Sequence, residues 1–332
     1  MKIDIFSHII PEKYDKALSK VGSSNPRVQE RSSMFPPALF NPGPRFEIMD
    51  RFEGLKQVLV LAEPALEQVT DAAKTVDLAR IVNDNMAELV ARYPDRFAAA
   101  VAALPMNNID AALKEVDRAI NDLKLRGVLV YSSVNDKPLD SPEFLPLYEK
   151  MSQYDLPIWI HPTRGEDQPD YRTEDRSYYG VCGLLGWPYE TSVAMARLAF
   201  SGILELYPNL KIITHHCGGV IPYLAGRIAD LGYVVKEMGG GKYAPLTKAP
   251  VEYLKMFYGD TATYGSVPGL MCGYGFFGAE HILFGTDMPF AFGEPGVSGI
   301  RLAISGVDSM EISDSERKKI YEDNARRLLR LP

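Results

Sequence analysis

The sequence predicts an α/β fold built as a single (β/α)8 barrel of the TIM type. Short β-branched runs alternate with helical patterns along all 332 residues, and eight such runs can be counted. No Gly/Ser-rich or Pro-rich linker divides the chain, and the first strand lacks the GxGxxG turn of a dinucleotide-binding sheet. We therefore expect one barrel domain over residues 1–332, with an irregular insertion after strand one and a long loop after strand five.

The strands are predicted from short runs of Val, Ile, Leu and aromatic residues. Parallel strands are buried on both faces, so such runs are nearly continuous in hydrophobicity rather than alternating. The predicted strands cover residues 3–6, 57–62, 97–103, 127–131, 158–161, 211–214, 254–258 and 282–285.

The helices are predicted between those strands from apolar residues spaced three and four apart. Asn108 is a candidate N-cap, and Pro94 follows the end of another helix. The irregular segments are the Pro/Ser/Arg-rich insertion at 11–46 and the polar loop at 163–186. This loop is a candidate lid, with a solvated insertion or part of a dimer contact as the alternatives. The predicted helices cover residues 46–54, 70–93, 108–123, 142–154, 189–207, 221–238 and 313–331, with a helix or turn at 265–274.

The composition limits the possible partners, crosslinks and location of the protein. The chain carries 36 Lys and Arg against 43 Asp and Glu, a net charge of −7, so it has no basic footprint for nucleic acid. Three cysteines without a CxxC pair give no disulfide framework. There is no secretory or membrane-spanning apolar stretch, so we expect a soluble, cytoplasmic protein.

Three polar residues follow predicted strands in separate parts of the chain, namely His8, His161 and Asp287. Such residues are costly to bury unless something uses them, and the carboxyl ends of barrel strands meet at one mouth. Two imidazoles and a carboxylate suit a divalent cation and leave a coordination position open. We predict one divalent metal held by these three residues, with zinc as the first choice, manganese or iron as alternatives, and no organic cofactor. A helix cap is the alternative role for Asp287.

Two adjacent histidines, His215 and His216, follow the sixth predicted strand. Neighbouring side chains of an extended chain point to opposite sides, so we expect only one of the two to face the mouth. Asp260, after the seventh strand, is a candidate for orienting a ligand or substrate. A solvent-facing loop acid is its alternative.

Arginine suits an anionic substrate because its planar fork matches a carboxylate. The candidates are Arg45, Arg164 and Arg227, each of which could instead be a surface charge. Trp187 could line an aromatic pocket, although packing against the next helix explains it equally well.

Several segments together resemble the amidohydrolase superfamily, and more narrowly its aminocarboxymuconate-semialdehyde decarboxylase-like branch. The matching segments are residues 1–11, 45–50, 134–136, 144–148, 160–162, 188–191, 216–219, 222, 226–227, 285–289 and 324–325. The resemblance implies a barrel with one divalent metal, often zinc, and non-oxidative decarboxylation of aromatic or dienoic acids. Hydratases and hydrolases also occur in this branch.

Carried over residue by residue, the resemblance places metal ligands at His8, His161 and Asp287 and the catalytic histidine at His216. It also implies that an arginine such as Arg227 can act across a homodimer. The first ligand of strand one falls on Phe6, which has no lone pair for a metal. Three consequences are open: a site with three protein ligands, a weak metal site, or a degenerate barrel that assembles with an active partner barrel.

We therefore expect a metal-dependent carboxy-lyase acting on a small aromatic or dienoic carboxylic acid. In this reaction His216 would move a proton to or from the carbon that loses the carboxylate. A lactone or amide hydrolase, with Asp287 as the base that deprotonates a metal-bound water, is the second expectation. A non-catalytic subunit is the third.

Overall fold

The computed structural model describes residues 1–23, 25–291 and 293–331. The strands are β1 (Lys2–Ile9), β2 (Leu55–Leu61), β3 (Phe97–Ala100), β4 (Ala102–Ala103), β5 (Val128–Tyr131), β6 (Ser133–Val134), β7 (Lys137–Pro138), β8 (Ile158–His161), β9 (Ile212–Thr214), β10 (Tyr258–Asp260) and β11 (Ile282–Leu283). In the described residues they form a three-stranded sheet, β1-β2-β3, a six-stranded sheet, β11-β10-β9-β8-β5-β4, and a hairpin, β6-β7. Neighbours in the two larger sheets run parallel, so the fold is α/β.

Helices occupy most connections between these strands. The longest, over 72–92, begins at Asp71, whose side chain accepts the backbone N–H groups of Ala73 and Lys74. Among the described helices, none is both long and apolar enough to cross a bilayer. The α-helices are α1 (Glu12–Val21), α2 (Pro26–Gln29), α3 (Arg31–Met34), α4 (Pro42–Met49), α5 (Leu66–Val69), α6 (Ala72–Arg92), α7 (Ile109–Asn121), α8 (Leu145–Tyr154), α9 (Trp187–Phe200), α10 (Ile203–Leu206), α11 (Ala225–Asp230), α12 (Gly232–Glu237), α13 (Pro250–Leu254), α14 (Val267–Phe277), α15 (Val297–Asp308), α16 (Asp314–Lys318) and α17 (Asn324–Leu329).

Backbone hydrogen bonds link the two larger sheets at both of their junctions. Val101, between β3 and β4, donates to the carbonyl of Leu59 at 2.9 Å. At the other junction His8 donates to the carbonyl of Met288 at 2.7 Å. The chain that leaves β11 therefore runs beside the end of β1, and this brings Asp287 next to His8.

The core between the sheets is filled by large side chains from facing strands. Trp159 of β8 is fully buried, and its Nε1 donates to the carbonyl of Ile5 in β1 at 3.1 Å. Phe6, the next residue of β1, is also fully buried. The middle of β1 thus packs against β8, and both strands then end at the same place.

The predicted elements agree with the structure except in a few places. The predicted strand at 254–258 is wrong, because the chain forms helix α13 up to Leu254 and strand β10 begins only at Tyr258. A short apolar run is compatible with either a buried helix or a buried strand, and here Tyr253 and Leu254 are buried on a helix. Helix α15 was not predicted, and the insertion at 11–46 contains helices α1, α2 and α3 together with the start of α4.

Candidate metal centre

Four side chains from four strand ends converge at one point. His8 lies in β1, His161 ends β8, His215 directly follows β9, and Asp287 follows β11. They are almost completely buried, with exposed fractions of 1, 4, 0 and 3% respectively. One nitrogen each from His8, His161 and His215 lie within 4.8 Å of one another. His215, His216 and the Asp287 carboxylate form a second group within the same distance. The carboxyl ends of parallel strands thus bring distant residues to a single site.

The distances within this cluster fit a shared cation. His8 Nε2 lies 3.2 Å from Asp287 Oδ1, and His215 Nε2 lies 3.4 Å from the same oxygen. Two atoms that each lie about 2.1 Å from one ion are about 3.0 to 3.4 Å apart, for octahedral or tetrahedral angles. Within the described residues, both ring nitrogens of His8 and Nε2 of His215 have no hydrogen-bond partner. Buried polar atoms without partners are costly, and one divalent cation would satisfy Nε2 of His8 and Nε2 of His215.

His161 is held in the orientation and the protonation state of a ligand. Its Nδ1 lies 2.6 Å from the carbonyl of Pro162, which fixes the ring and leaves Nε2 directed to the cluster. Burial, reinforced by the neighbouring His8 and His215, holds the pKa of His161 well below its usual value of 6.5. The ring is therefore neutral, as metal binding requires.

His215 is oriented by a buried carboxylate. Its Nδ1 is hydrogen-bonded to Asp260 Oδ2. The other oxygen of Asp260 accepts the backbone N–H groups of Cys217 at 3.0 Å and Ala262 at 3.1 Å. Burial opposes the charged form of His215, but Asp260 and Asp287 outweigh it and raise its pKa to about 10. Asp260 therefore fixes the orientation of the His215 ring.

Phe6 forms one wall of the cluster. Its ring is stacked on His215, with centroids 3.9 Å apart and planes inclined by 17°, and its centroid lies 5.7 Å from that of His8. Room for this arrangement comes from Gly285, where a Cβ would stand 3.4 Å from Cβ of Phe6 and 3.1 Å from Cβ of Asp260. The side chain at position 6 thus packs on a donor residue and supplies no donor itself.

Both adjacent histidines reach the site, so the expectation that only one would face it is wrong. The ring centroids of His215 and His216 are 3.9 Å apart. Simple alternation fails because His216 has φ 54°, a left-handed conformation that turns the chain immediately after β9. Burial, together with the neighbouring His215, lowers the pKa of His216 to about 3, so its ring is neutral.

Comparisons with known proteins identify the family of the chain. A family model described as amidohydrolase matches residues 3–331. The chain belongs to the amidohydrolase family. It is 35% identical over 298 residues to a gamma-resorcylate decarboxylase of Rhizobium radiobacter, covering 86% of each chain. It is 28% identical over 310 residues to a 2-amino-3-carboxymuconate-6-semialdehyde decarboxylase of Dictyostelium discoideum, covering 89% of this chain and 83% of the relative.

A solved relative contains a metal. The crystal structure of a dihydroxybenzoic acid decarboxylase from Polaromonas sp. JS666, with bound manganese and the inhibitor 2-nitroresorcinol, matches with a TM-score of 0.79 and 28% identity. The match covers 99% of this chain and 96% of that one. A divalent metal is therefore supported for the family site, whereas the choice of zinc as the first metal is not.

Aromatic side chains border the donor cluster. Trp187 lies with its ring centroid 5.9 Å from that of His161 and is stacked at 6.2 Å on His216. Phe290 lies 5.5 Å from His8 by the same measure. Trp187 therefore lies beside two histidines of the site, and its role in lining a substrate pocket stays a prediction.

The predicted arginines are not all brought to this site. Arg45 is fully buried and bonded to protein oxygens of Ala38, Ser7, Gln57 and His8. Four of the five N–H donors of its guanidinium are taken by these oxygens, so we expect Arg45 to act in the core and not on a substrate.

The other two arginines have different surroundings. Arg164 uses Nη2 to bind the carbonyls of Gln168 and Pro169 and the carboxylate of Asp170, so it ties down the loop that contains it. Arg227 is exposed on α11. Its role across a dimer stays a prediction.

Tyr264, which the sequence analysis did not identify, also touches the cluster. The hydroxyl of Tyr264 donates to Asp287 Oδ2 at 2.7 Å. Burial, and then the charge of Asp287, raise the pKa of Tyr264 far above its usual value, so the hydroxyl keeps its proton. A tyrosine in a loop four residues beyond a strand gives no periodic or motif signal by which it could have been found.

Proposed function

We propose that this chain is a divalent-metal-dependent, non-oxidative decarboxylase of a small aromatic carboxylic acid. The observation that carries the proposal is the convergence of unpartnered buried imidazole nitrogens with Asp287 beside an aromatic wall. The relatives named above, which are decarboxylases of aromatic or dienoic acids, support the same reaction class.

We infer that the two parallel sheets close as one (β/α)8 barrel and that residues 1–332 form a single domain. The backbone hydrogen bonds at both junctions of the sheets support this closure. A family match over 3–331 supports the single domain. In such a barrel, the site lies at the mouth formed by the carboxyl ends of the strands.

In this proposal His8, His161 and Asp287 hold the cation, with manganese and zinc as the two ions to test. When bound, the ion would supply positive charge that holds the substrate carboxylate and a neighbouring oxygen. Tyr264 would fix the Asp287 carboxylate through its hydrogen bond to Oδ2.

His216 would move the proton that the reaction consumes. Loss of carbon dioxide breaks the bond between the ring carbon and the carboxylate, and a proton must take the place of the carboxyl group on that carbon. Nδ1 of His216 has no hydrogen-bond partner in the described part of the chain, and the ring faces Trp187. A ring with a depressed pKa is a strong acid once protonated, which favours donation to carbon.

The partners we propose are a small carboxylic acid and a second copy of the chain. Arg227 and Tyr223 are exposed on the segment that follows β9, and an arginine there could reach a neighbouring subunit. Light scattering would measure the oligomeric state. A monomer that turns over substrate would exclude an essential role across subunits.

The test of the proposed function is direct product analysis. Purified protein loaded with Mn²⁺ or Zn²⁺ is incubated with hydroxybenzoic acids, including 2,6-dihydroxybenzoate, and both carbon dioxide and the decarboxylated phenol are measured. A decarboxylase should release the two products in equal amounts. Asp287→Asn is the control and should abolish turnover. Hydrolysis of a lactone or amide panel without carbon dioxide release would favour the hydrolase. Absence of any turnover in the loaded protein would favour the non-catalytic barrel.

A further inference from the structure

We propose that His215 is a fourth protein ligand of the cation and fills the coordination position for which Phe6 has no donor atom. This inference rests on the metal dependence in the proposed function, and it changes the expected ligand set from three residues to four. The ligand would come from the end of β9 instead of from β1.

The geometry distinguishes His215 from every other candidate near the site. It belongs to both groups of converging donors, the one with His8 and His161 and the one with His216 and Asp287. Its Nε2 lies 3.4 Å from Asp287 Oδ1, is fully buried, and has no hydrogen-bond partner among the described residues. His216 belongs only to the second group and lies further towards Trp187.

The surroundings of His215 select the correct tautomer. A carboxylate that accepts from Nδ1–H leaves the lone pair of the neutral imidazole on Nε2. Asp260 is such a carboxylate, and two backbone N–H groups prevent it from turning away. A histidine backed by a carboxylate is the usual arrangement of a metal-binding imidazole.

In this arrangement Phe6 packs against the proposed ligand His215 and stabilises its orientation. Its nearly parallel ring lies against His215 and restricts the rotation of the imidazole. The absence of a side chain at Gly285 lets Phe6 and Asp260 lie together beneath the site. Position 6 and position 215 are therefore a matched pair, in which one residue supplies packing and the other supplies the donor.

A competing role for His215 is purely structural. A protonated His215 could bridge the carboxylates of Asp260 and Asp287 without any metal, since both lie beside its ring nitrogens. The two roles differ in what they predict for metal affinity. A ligand contributes directly to binding of the ion, whereas a bridging imidazolium competes with the ion for Asp287.

The experiment measures Mn²⁺ binding to metal-free protein by the EPR signal of the free ion, with stoichiometry from elemental analysis. His215→Ala should weaken Mn²⁺ binding by at least about 100-fold, more than the 10–100-fold that loss of an outer partner costs. Asp260→Asn should weaken it by about 10–100-fold. His216→Ala, at the adjacent position, is the matched control and should bind Mn²⁺ within about threefold of the unchanged protein.

Rescue by a second substitution tests whether positions 6 and 215 serve the same coordination position. Phe6→His should restore much of the Mn²⁺ affinity lost in His215→Ala, yet raise the affinity of the otherwise unchanged protein less than about tenfold. The non-additivity of the two changes would show that positions 6 and 215 compete for one coordination position. His215→Gln serves as the variant if His215→Ala does not fold, as judged from circular dichroism.

Several outcomes would overturn the inference. Mn²⁺ binding by His215→Ala equal to that of the unchanged protein, with binding lost in His8→Ala, would leave a three-ligand site. A gain of more than tenfold from Phe6→His alone would show that the position is vacant. Protein that binds neither Mn²⁺ nor Zn²⁺ would refute this inference and the proposed function together. Protein that binds Mn²⁺ through His215 but releases no carbon dioxide would refute only the proposed function.

Discussion

Replacing Arg45 with Met separates a structural arginine from a substrate-binding one. The guanidinium lies in the core with no exposed surface and donates to four oxygens on three parts of the chain. Two of these bonds, to Ser7 Oγ and Gln57 Oε1, measure 2.8 Å, and another reaches the backbone carbonyl of His8. Met fills a similar volume but offers no donor. The substitution should therefore leave three or four buried acceptors without partners.

The magnitude follows from these bonds. Each buried acceptor left unpaired costs about 1–3 kcal/mol, but the change also removes the cost of burying a cation. That cost is visible in the pKa of Arg45, which burial lowers to about 10 although Asp4 opposes the shift. Removing one member of a buried charged network typically costs about 3–5 kcal/mol. At about 2–4 °C per kcal/mol, the melting temperature should fall by roughly 6–20 °C.

The assay combines thermal unfolding with steady-state kinetics on the substrate found by product analysis. The Michaelis constant of the folded fraction should stay within about threefold, since the guanidinium does not reach the substrate. Arg227→Met, at an exposed position, is the matched control and should shift the melting temperature by less than about 1 °C. An unchanged melting temperature together with a Michaelis constant raised more than tenfold would refute the reasoning and restore Arg45 as a substrate residue.

Three further predictions concern groups around the cluster. Tyr264→Phe removes the hydrogen bond to Asp287 Oδ2 and should weaken Mn²⁺ binding about 10-fold, measured by EPR. Asp4→Asn tests a carboxyl whose pKa burial raises to about 7, against the hydrogen bonds from Thr286. Because the folded state of the unchanged protein binds more protons between about pH 4 and 7, this group costs stability as the pH rises through that window. From pH 5 to pH 8 the unfolding free energy of the unchanged protein should therefore fall relative to that of the Asn variant. A difference between the two proteins that does not depend on pH would contradict the raised pKa of Asp4. Trp187→Ala should raise the Michaelis constant for an aromatic acid about 5- to 10-fold, with Mn²⁺ affinity unchanged; an unchanged Michaelis constant would make Trp187 a packing residue.

The parts of the site that could be predicted from sequence are those fixed by strand ends. His8, His161 and Asp287 each follow a short apolar run, and parallel strands necessarily end on one side of their sheet. The structure brings all three together, while their role as ligands stays a prediction. The same local signal was too weak for the strand predicted at 254–258, because a buried helix and a buried strand have the same apolar composition.

The parts that sequence could not supply depend on contacts between distant residues. The guanidinium of Arg45 could bind a substrate carboxylate as judged from residue type alone. Only the structure shows that its N–H groups donate to Gln57 and to the backbone carbonyl of His8. The prediction for the histidine pair failed for a local reason, because alternation holds for extended chain and His216 leaves it. Neither the left-handed turn nor the Asp260 contact is visible in the spacing of the motif.

The same reasoning explains why an apolar residue at a ligand position does not by itself predict a lost metal site. A cation requires donor atoms at suitable distances, and the backbone position from which each donor comes is immaterial to it. Parallel strands whose carboxyl ends converge offer several positions within reach of a single point, so a donor lost from one strand can be replaced from another. Here the replacement also needs a carboxylate behind the imidazole and a flat surface beside it, and Asp260 and Phe6 provide these. Position 6 is therefore informative only when it is considered together with positions 215, 260 and 285.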